Sequence, residues 1–299
     1  MPDLCGVEFA PNPSPMRQQS VLNGWRLEYV AVDLGAAPRR AVVALHGFAR
    51  PLEDHLIWRE HWPKDARLIS IHLMHHGGSG PADPDLPADA AIPPATLLAH
   101  IQHIVRHEGC DPEDMDLIGY SIGGRIALTL LVEAPDVWGQ ILLLAPDGFR
   151  KAPLYDLTVH TRLGRFLWQA LDRHAATVNA VVTRLGRWGI MPKHLVQFAL
   201  FHTETRAMRE MVWRGWRAHR LCWPATQEVA RAMAGRRHGR VDLVFGLKDR
   251  VIPVSNAARL KRLLAAWQPE SVHFHELLCG HGMLRSDILK DLEKRIFGA

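Results

Sequence analysis

Short apolar runs alternate with amphipathic stretches along much of the chain. Five aliphatic-rich runs are short enough to be buried strands: 41–45, 115–120, 141–145, 241–246 and 272–278. A helical pattern at 125–133 separates the second run from the third. Strands that alternate with helices indicate an α/β domain with a mostly parallel central sheet. Such a sheet binds its ligands at the carboxyl ends of its strands.

The pattern changes between about Arg150 and Arg240, where buried strands vanish and helical segments replace them. The predicted helices are 162–174, 176–188 and 205–221. We therefore predict one core, built from residues 1–149 and 241–299, and a helical cap inserted at 150–240.

Charge and aromatic residues distinguish the predicted cap from the rest of the chain. Residues 150–240 hold 17 Lys and Arg against 5 Asp and Glu, a net charge of +12 in a chain of +5, and five of the ten tryptophans. This favours an anionic substrate or surface: an acyl-CoA or carrier-protein thioester, a carboxylate-bearing ester, or an anionic lipid interface. A basic face that is merely solvated is an equally open interpretation. On that interpretation the following side chains lie on the solvent-exposed outer face of the cap: Arg206, Arg209, Arg214, Arg217 and Arg220.

A G-x-S-x-G motif lies between the run at 115–120 and the helical pattern that follows it. Its sequence is Ile118-Gly119-Tyr120-Ser121-Ile122-Gly123-Gly124. A serine on a sharp turn between a strand and a helix is the nucleophile elbow, where small neighbours let the two elements pass closely. Ser121 is therefore the predicted nucleophile.

A serine nucleophile needs a base and a carboxylate that orients the base. His281 follows the last predicted strand and stands between two glycines, so we predict that it is the base. Asp249 follows the strand at 241–246 and is the favoured acid. Asp147, just after the run at 141–145, stays open as an alternative acid or as a cap on the chain leaving the sheet.

Catalysis also needs donors for the oxyanion, and two backbone amides are expected to supply them. The first belongs to Ile122, after the nucleophile, and the second to Phe48, in the loop after the strand at 41–45. The residues predicted to contact substrate are Tyr120, Asp147 and Trp168.

With these motifs the chain resembles the α/β-hydrolase superfamily, in its capped serine-hydrolase subgroup. The loop at 76–80 looks like the family's glycine-rich loop, although His72 stands near the place of the usual Asp. The resemblance implies the α/β-hydrolase fold, a mostly parallel sheet flanked by helices with an inserted helical cap. It also implies an esterase, lipase, thioesterase or carbon–carbon bond hydrolase. Ser121 argues against a haloalkane dehalogenase, which carries aspartate at the elbow.

We therefore expect a carboxylesterase-like serine hydrolase that cleaves a small-molecule ester or thioester through an acyl-enzyme on Ser121. Neither a cofactor nor a metal is needed for this chemistry. Two alternatives remain: a carbon–carbon hydrolase or lyase with the same triad, and a receptor that binds a ligand without turnover. No nucleic-acid motif accompanies the basic cap, so a nucleic-acid partner is not expected.

Composition adds expectations about location. The four cysteines are scattered, without metal or disulfide spacing: Cys5, Cys110, Cys222 and Cys279. No signal peptide and no apolar run long enough to span a membrane is visible, so we expect a cytoplasmic enzyme. Nothing in the sequence indicates the oligomeric state.

Overall fold

A computed structural model describes residues 15–36, 38–150 and 153–298. Nine strands within these residues form one sheet, in the order β1-β2-β4-β3-β6-β7-β8-β9, with β5 paired to β2. From β4 to β9 all neighbours are parallel, whereas β2 runs antiparallel to β1, β4 and β5. The strands are β1 (Gln18–Leu22), β2 (Trp25–Asp33), β3 (Arg40–Leu45), β4 (Ala66–Ile71), β5 (Gly80–Pro81), β6 (Met115–Tyr120), β7 (Trp138–Leu144), β8 (Arg240–Gly246) and β9 (Val272–Leu277).

Helices cover both faces of the sheet, because the strand side chains alternate between two apolar cores. In β3, Val43 packs in one core and Val42 in the other. The second core is closed by a 3₁₀ helix at Leu52–Arg59 and by α10 (Ser286–Ile296). The first core holds side chains of α1 (Pro94–His107), α2 (Ile122–Glu133), α8 (Thr226–Ala234) and α9 (Ala258–Ala265). The prediction of an α/β fold with a mostly parallel sheet is thus confirmed.

A helical insertion separates β7 from β8. Two of its helices begin at a threonine whose hydroxyl accepts a hydrogen bond from the first turn: Thr161 from Gly164 N, and Thr205 from Met208 N. Helix α8 lies within the predicted cap range of 150–240, but it packs against α2 and α9 of the core. The other helices of the insertion are α3 (Pro153–His160), α4 (Arg162–Arg173), α5 (Ala175–Arg187), α6 (Lys193–Thr203) and α7 (Arg206–Ala218).

Two arginines of α7 do not lie on a solvated outer face. Arg209 is buried and donates to Asp172 Oδ1 at 2.6 Å. Arg217 is also buried, and it donates to Asp89 of the core and to Val159 O at 2.9 Å. A charge loses its hydration on burial and so needs partners, which these contacts supply. For these two residues the interpretation as a merely solvated face is wrong.

No helix in the described ranges is both long and apolar enough to cross a bilayer.

Candidate active site

The turn between β6 and α2 places Ser121 in a backbone conformation that side chains rarely adopt, with φ 55° and ψ −117°. The Ser121 amide donates to Leu144 O of β7 at 3.0 Å, which ties the turn to the neighbouring strand. A Cβ on Gly123 would lie 2.2 Å from Leu45 O, so a larger residue could not fit there. This glycine is therefore what allows the helix to start so close to the end of β3.

Ser121, His281 and Asp249 form a continuous hydrogen-bonded chain. Ser121 Oγ lies 3.1 Å from His281 Nε2, and His281 Nδ1 lies 2.8 Å from Asp249 Oδ2. The Asp249 side chain is fully buried, and its Oδ1 accepts the amides of Val251 at 2.8 Å and Ile252 at 2.9 Å. A carboxylate oxygen accepts hydrogen bonds, so this geometry fits an imidazole that donates from Nδ1 to Asp249 and turns the Nε2 lone pair to the serine.

The loops that carry Asp249 and His281 meet because β8 and β9 are parallel neighbours. Gly246 pairs with Leu277 in the register of the two strands. Just past the end of β8, the Lys248 amide donates to the carbonyl oxygen of residue 279 at 2.9 Å. The pairing of two strands thus brings the predicted acid and the predicted base to one place.

Asp147, the alternative acid, contacts Arg125 and not His281. Its Oδ2 accepts from Arg125 Nη1 at 3.2 Å, and its Oδ1 accepts from the Gly148 amide at 2.7 Å. The Asp147 amide also donates to Ser121 O at 3.0 Å. The carboxylate therefore caps the chain where it leaves the sheet and pairs with a buried guanidinium.

Arg125 was not singled out from the sequence, yet it joins the elbow helix to both ends of the insertion. Its side chain is buried, and its guanidinium lies over the rings of Tyr155 at 5.0 Å and Trp223 at 4.4 Å. Tyr155 belongs to α3, where the insertion begins, and Trp223 follows α7, near its end. Cation–π contacts of this kind stabilise a desolvated arginine. The local pattern of the sequence does not reveal that such distant segments meet.

Tyr120 holds the loop that carries the predicted base. Its hydroxyl donates to His281 O at 2.8 Å, and its ring lies 5.4 Å from the His281 ring. The side chain is only 7 % exposed, and burial raises the pKa of this phenol. The hydroxyl is thus occupied by a backbone carbonyl, whereas the sequence predicts a contact with substrate.

The two predicted oxyanion donors follow the ends of neighbouring parallel strands. Leu45 of β3 pairs with Gly119 of β6, so the loop with Phe48 begins beside the elbow. Ile122 is the first residue of α2, where an amide has no partner within the helix. Across the described part of the chain, neither the Phe48 amide nor the Ile122 amide donates a backbone hydrogen bond. Both amides are therefore free of backbone acceptors within the described residues, as donors to a substrate carbonyl oxygen need to be.

A histidine holds the loop that carries Phe48. His76 Nε2 accepts the Ala49 amide at 3.0 Å, while His76 Nδ1 donates to Met74 O at 3.2 Å. Ala49 has φ 55°, a left-handed conformation that is unfavourable for alanine and needs support. The His76 ring also packs edge-on against Phe48, with centroids 5.4 Å apart. Burial lowers the pKa of His76 to about 4, so it stays a neutral acceptor near neutral pH.

His76 belongs to a buried histidine layer beside this loop, together with His46 and His72. His46 Nδ1 donates to Gly47 O at 2.6 Å, and its Nε2 accepts the Leu73 amide at 3.1 Å. His72 Nδ1 approaches the same His46 Nε2 at 3.1 Å. Burial lowers the pKa of His46 well below the ordinary value. In the described residues no group of three or more His, Cys, Asp or Glu side chains is placed to hold a metal ion.

The insertion packs against the loop that carries Phe48. The Phe48 ring stacks on His202 of α6, with centroids 5.2 Å apart, and its Cε2 lies 4.0 Å from a Cβ built on Gly215 of α7. Trp168 stacks on Trp213 at 5.7 Å within the insertion. Ring contacts connect Trp168 to His202 through one further tryptophan. The contact of Trp168 with substrate stays a prediction.

Comparison with known proteins identifies a family whose sequence profile this chain matches. The sequence profile of the alpha/beta hydrolase family matches residues 42–288, a range that includes Ser121, Asp249 and His281. Among curated proteins, the chain is similar to the dihydrolipoyllysine-residue acetyltransferase component of the acetoin cleaving system of Pseudomonas putida. The two are 25 % identical over 283 residues, and the match covers 91 % of this chain and 68 % of that protein.

Solved structures superimpose over nearly the whole chain. MGS-M2, an alpha/beta hydrolase enzyme from a Medee basin deep-sea metagenome library, matches with a TM-score of 0.61 at 14 % identity, over 94 % of this chain and 96 % of its own. The thioesterase domain from the curacin biosynthetic pathway matches with a TM-score of 0.59 at 14 % identity, over 95 % of this chain and 99 % of its own. At such identities the likeness concerns the fold alone, and it confirms the predicted α/β-hydrolase fold.

Proposed function

Because the chain belongs to the alpha/beta hydrolase family, we propose that it is a serine hydrolase that cleaves a carboxylic ester or thioester through an acyl-enzyme on Ser121. The observation that carries this proposal is the hydrogen-bonded chain from Ser121 Oγ through His281 to Asp249, with links of 3.1 and 2.8 Å. A hydroxyl is a weak nucleophile until a base takes its proton. In this hydrogen-bonded series His281 is the proposed base, and Asp249 is the carboxylate proposed to orient it.

In the proposed reaction, Ser121 Oγ attacks the carbonyl carbon while its proton passes to His281 Nε2. The imidazolium that forms is stabilised by Asp249, whose second oxygen is held by two backbone amides. His281 then gives the proton to the leaving alcohol or thiol as the carbonyl re-forms. Water repeats the sequence on the acyl-enzyme and releases the acid, which restores the free serine.

The amides of Phe48 and Ile122 are the proposed oxyanion donors. Negative charge develops on the carbonyl oxygen as the tetrahedral intermediate forms, so donors fixed beforehand stabilise the transition state more than the substrate. The close approach of Gly123 to the end of β3 and the hydrogen bond from the Ala49 amide to His76 support such a fixed arrangement. His76 is therefore a proposed positioning residue that acts through the loop.

We assign the cap to α3–α7, because His202 of α6 stacks on Phe48 and Gly215 of α7 faces the same ring, with 4.0 Å between Phe48 Cε2 and a Cβ built on this glycine. Helix α8 belongs to the core by its packing on α2 and α9. A small-molecule ester or thioester bound beside this cap would meet Phe48 and Ser121 at the carboxyl ends of β3 and β6, where ligands of such sheets bind.

The test is a panel of p-nitrophenyl acyl esters and acyl-CoA thioesters of increasing chain length, run on the wild type and on Ser121→Ala. We expect turnover of at least one series, lowered by about 10⁴-fold or more in the variant. Ser255→Ala is the matched control, because Ser255 is an exposed serine of the 3₁₀ helix Val254–Ala257, and it should keep full activity.

Other outcomes point to the alternatives. Turnover of a diketone or cyanohydrin that depends on Ser121, without ester or thioester hydrolysis, would favour the carbon–carbon hydrolase or lyase. Tight binding of a ligand without turnover would favour a receptor. Ester hydrolysis that survives in purified Ser121→Ala would overturn the proposal.

A further inference from the structure

Exposed apolar side chains are concentrated in one part of the insertion. Of the fifteen large apolar side chains exposed in the described part of the chain, eight lie between Arg162 and Thr203, from the start of α4 to the end of α6. A concentration of exposed apolar surface marks a binding site in many proteins. The eight are Leu163, Phe166, Leu167, Val181, Trp188, Ile190, Leu195 and Phe201.

One group of these side chains forms a stripe along α4. Leu163, Phe166 and Leu167 follow the spacing that puts residues on one side of a helix, and Phe166 is 62 % exposed. The other side of α4 carries Trp168, which packs inside the insertion. Helix α4 therefore turns an apolar side to solvent while another side anchors it. Three basic residues of the same helix are also exposed: Arg162, Arg165 and Arg173.

A second group lies at the turn between α5 and α6. Trp188 and Ile190 flank Gly189 and are each 66 % exposed. No described atom beyond its chain neighbours lies within 4 Å of a Cβ built on Gly189, so the space beside this glycine is open. Exposed basic residues lie close to it in the chain: Arg184, Arg187 and Lys193.

The charge of this surface is almost entirely positive. From the start of α4 to the end of α6 the chain has six Lys and Arg and one acidic residue, Asp172. Asp172 is already paired with Arg209 of α7 at 2.6 Å. All six basic side chains are exposed, and among the ion pairs of the described residues only Arg165 takes part, with Asp89 at 4.0 Å. The surface thus combines bulky apolar groups with cations that have little compensation.

We propose that the outer surface of α4, α5 and the α5–α6 turn docks onto an anionic lipid bilayer. Amphipathic helices with aromatic and aliphatic residues beside Lys and Arg bind at the boundary between headgroups and acyl chains, where both kinds of side chain are satisfied. Tryptophan favours the same boundary.

Co-sedimentation with vesicles tests this docking directly. Purified protein is mixed with vesicles of phosphatidylcholine alone, or of equal parts phosphatidylcholine and phosphatidylglycerol, at low and at high ionic strength. We expect binding to the anionic vesicles that weakens with salt, and little binding to the neutral ones. Ser121→Ala should bind as the wild type does, so a failure of the proposed reaction leaves this test intact.

Two double variants separate the apolar contribution to vesicle binding from the electrostatic contribution. Phe166→Ser with Trp188→Ser should lower the partition coefficient on anionic vesicles by about tenfold or more, because both rings lose their insertion. Arg184→Gln with Arg187→Gln should lower it by about fivefold per charge, and only on anionic vesicles. The matched controls change exposed residues of the core and should leave the partition unchanged: Trp267→Ser and Arg262→Gln.

Three results would overturn the proposal. The first is no vesicle binding by the wild type, and the second is equal loss of binding in the control variants. The third is self-association in sedimentation velocity that the Phe166 and Trp188 changes abolish, without vesicle binding, since the surface would then contact a second copy of the chain. Circular dichroism of each variant verifies that the fold is retained.

Discussion

The sheet core and the inserted helices differ in how completely their side chains are buried. In the core, β3, β6, β7 and β8 are almost completely buried, and the candidate site is fixed by backbone contacts such as Gly123 against Leu45 O. The insertion exposes much of its apolar surface and most of its cations, and it is tied to the core at a few points. The core thus fixes the geometry of the candidate site, while the insertion carries the exposed surface that we propose docks onto a bilayer.

The largest expected effect lies wholly within the core. Asp249→Asn should lower kcat by about 10⁴-fold, because an amide at this position favours the wrong tautomer of His281. Asp147→Asn is the matched control: it weakens the pairing with Arg125 and leaves the hydrogen-bonded chain from Ser121 to Asp249 unchanged. Steady-state kinetics on the best ester or thioester measures both. A larger loss for Asp147→Asn would assign the acid to the other strand.

Acid should weaken the core through its buried histidines. His55, on the 3₁₀ helix Leu52–Arg59, and His76 are both buried. Burial lowers the pKa of each from 6.5 to about 4, so the fold favours their neutral forms. Their contribution to stability is complete above pH 6.5 and is lost as the pH falls towards 4. At about pH 5 each should cost about 2 kcal/mol in the free energy of unfolding.

Urea unfolding across this pH window measures the loss. His76→Gln, which does not titrate, should reduce the dependence of stability on pH. Stability that stays constant or rises as the pH falls would show that these histidines are not held neutral in the fold.

The junction between the two regions can be weakened at Arg217. This buried side chain of α7 donates to Asp89 of the core and to Val159 O, and its guanidinium lies 5.1 Å from the centroid of the Trp213 ring. Arg217→Met should lower the free energy of unfolding by about 2–3 kcal/mol, because it leaves Asp89 without this partner. Arg214→Met, at an exposed position of the same helix, should change it by less than about 0.5 kcal/mol.

Thermal unfolding with limited proteolysis of the insertion compares the two variants. Equal stability of Arg217→Met and Arg214→Met would mean that the contact with Asp89 does not hold the insertion to the core.

The smallest expected effect concerns the loop that carries Phe48. His76 of the core and His202 of the insertion both contact this loop. His76→Leu removes the acceptor of the Ala49 amide and should lower kcat by about 10- to 100-fold with little change in KM, since the loop with Phe48 relaxes. His76→Gln keeps an acceptor near the position of Nε2 and should recover most of the rate. If both variants lose kcat equally, or if the change falls on KM, the hydrogen bond does not position the loop.

Local patterns in the sequence predict many elements well because strands and helices have distinct periods. The strands predicted at 115–120 and 241–246 appear as β6 and β8, and the helices predicted at 162–174 and 176–188 appear as α4 and α5 with ends shifted by one residue. The G-x-S-x-G spacing also indicates the sharp turn at Ser121, because the close crossing of strand and helix needs glycines at both places.

Such local patterns do not predict contacts between segments that are far apart in the sequence. The hydrogen bonds of His46 and His76 join the loops after β3 and β4, which meet only because the sheet pairs these strands. The hydrogen bond from the Tyr120 hydroxyl to His281 O joins β6 to the loop after β9 and is likewise not readable from the local sequence. On α7, charge alone does not distinguish the two buried arginines from their exposed neighbours.

The most direct test of the central claim is covalent labelling with a fluorophosphonate, which reacts with activated serines. Peptide mass spectrometry of the labelled wild type should find the adduct on Ser121, and His281→Gln should label far more slowly, because the base is lost. Labelling at another residue, or an equal rate in the His281 variant, would contradict the account.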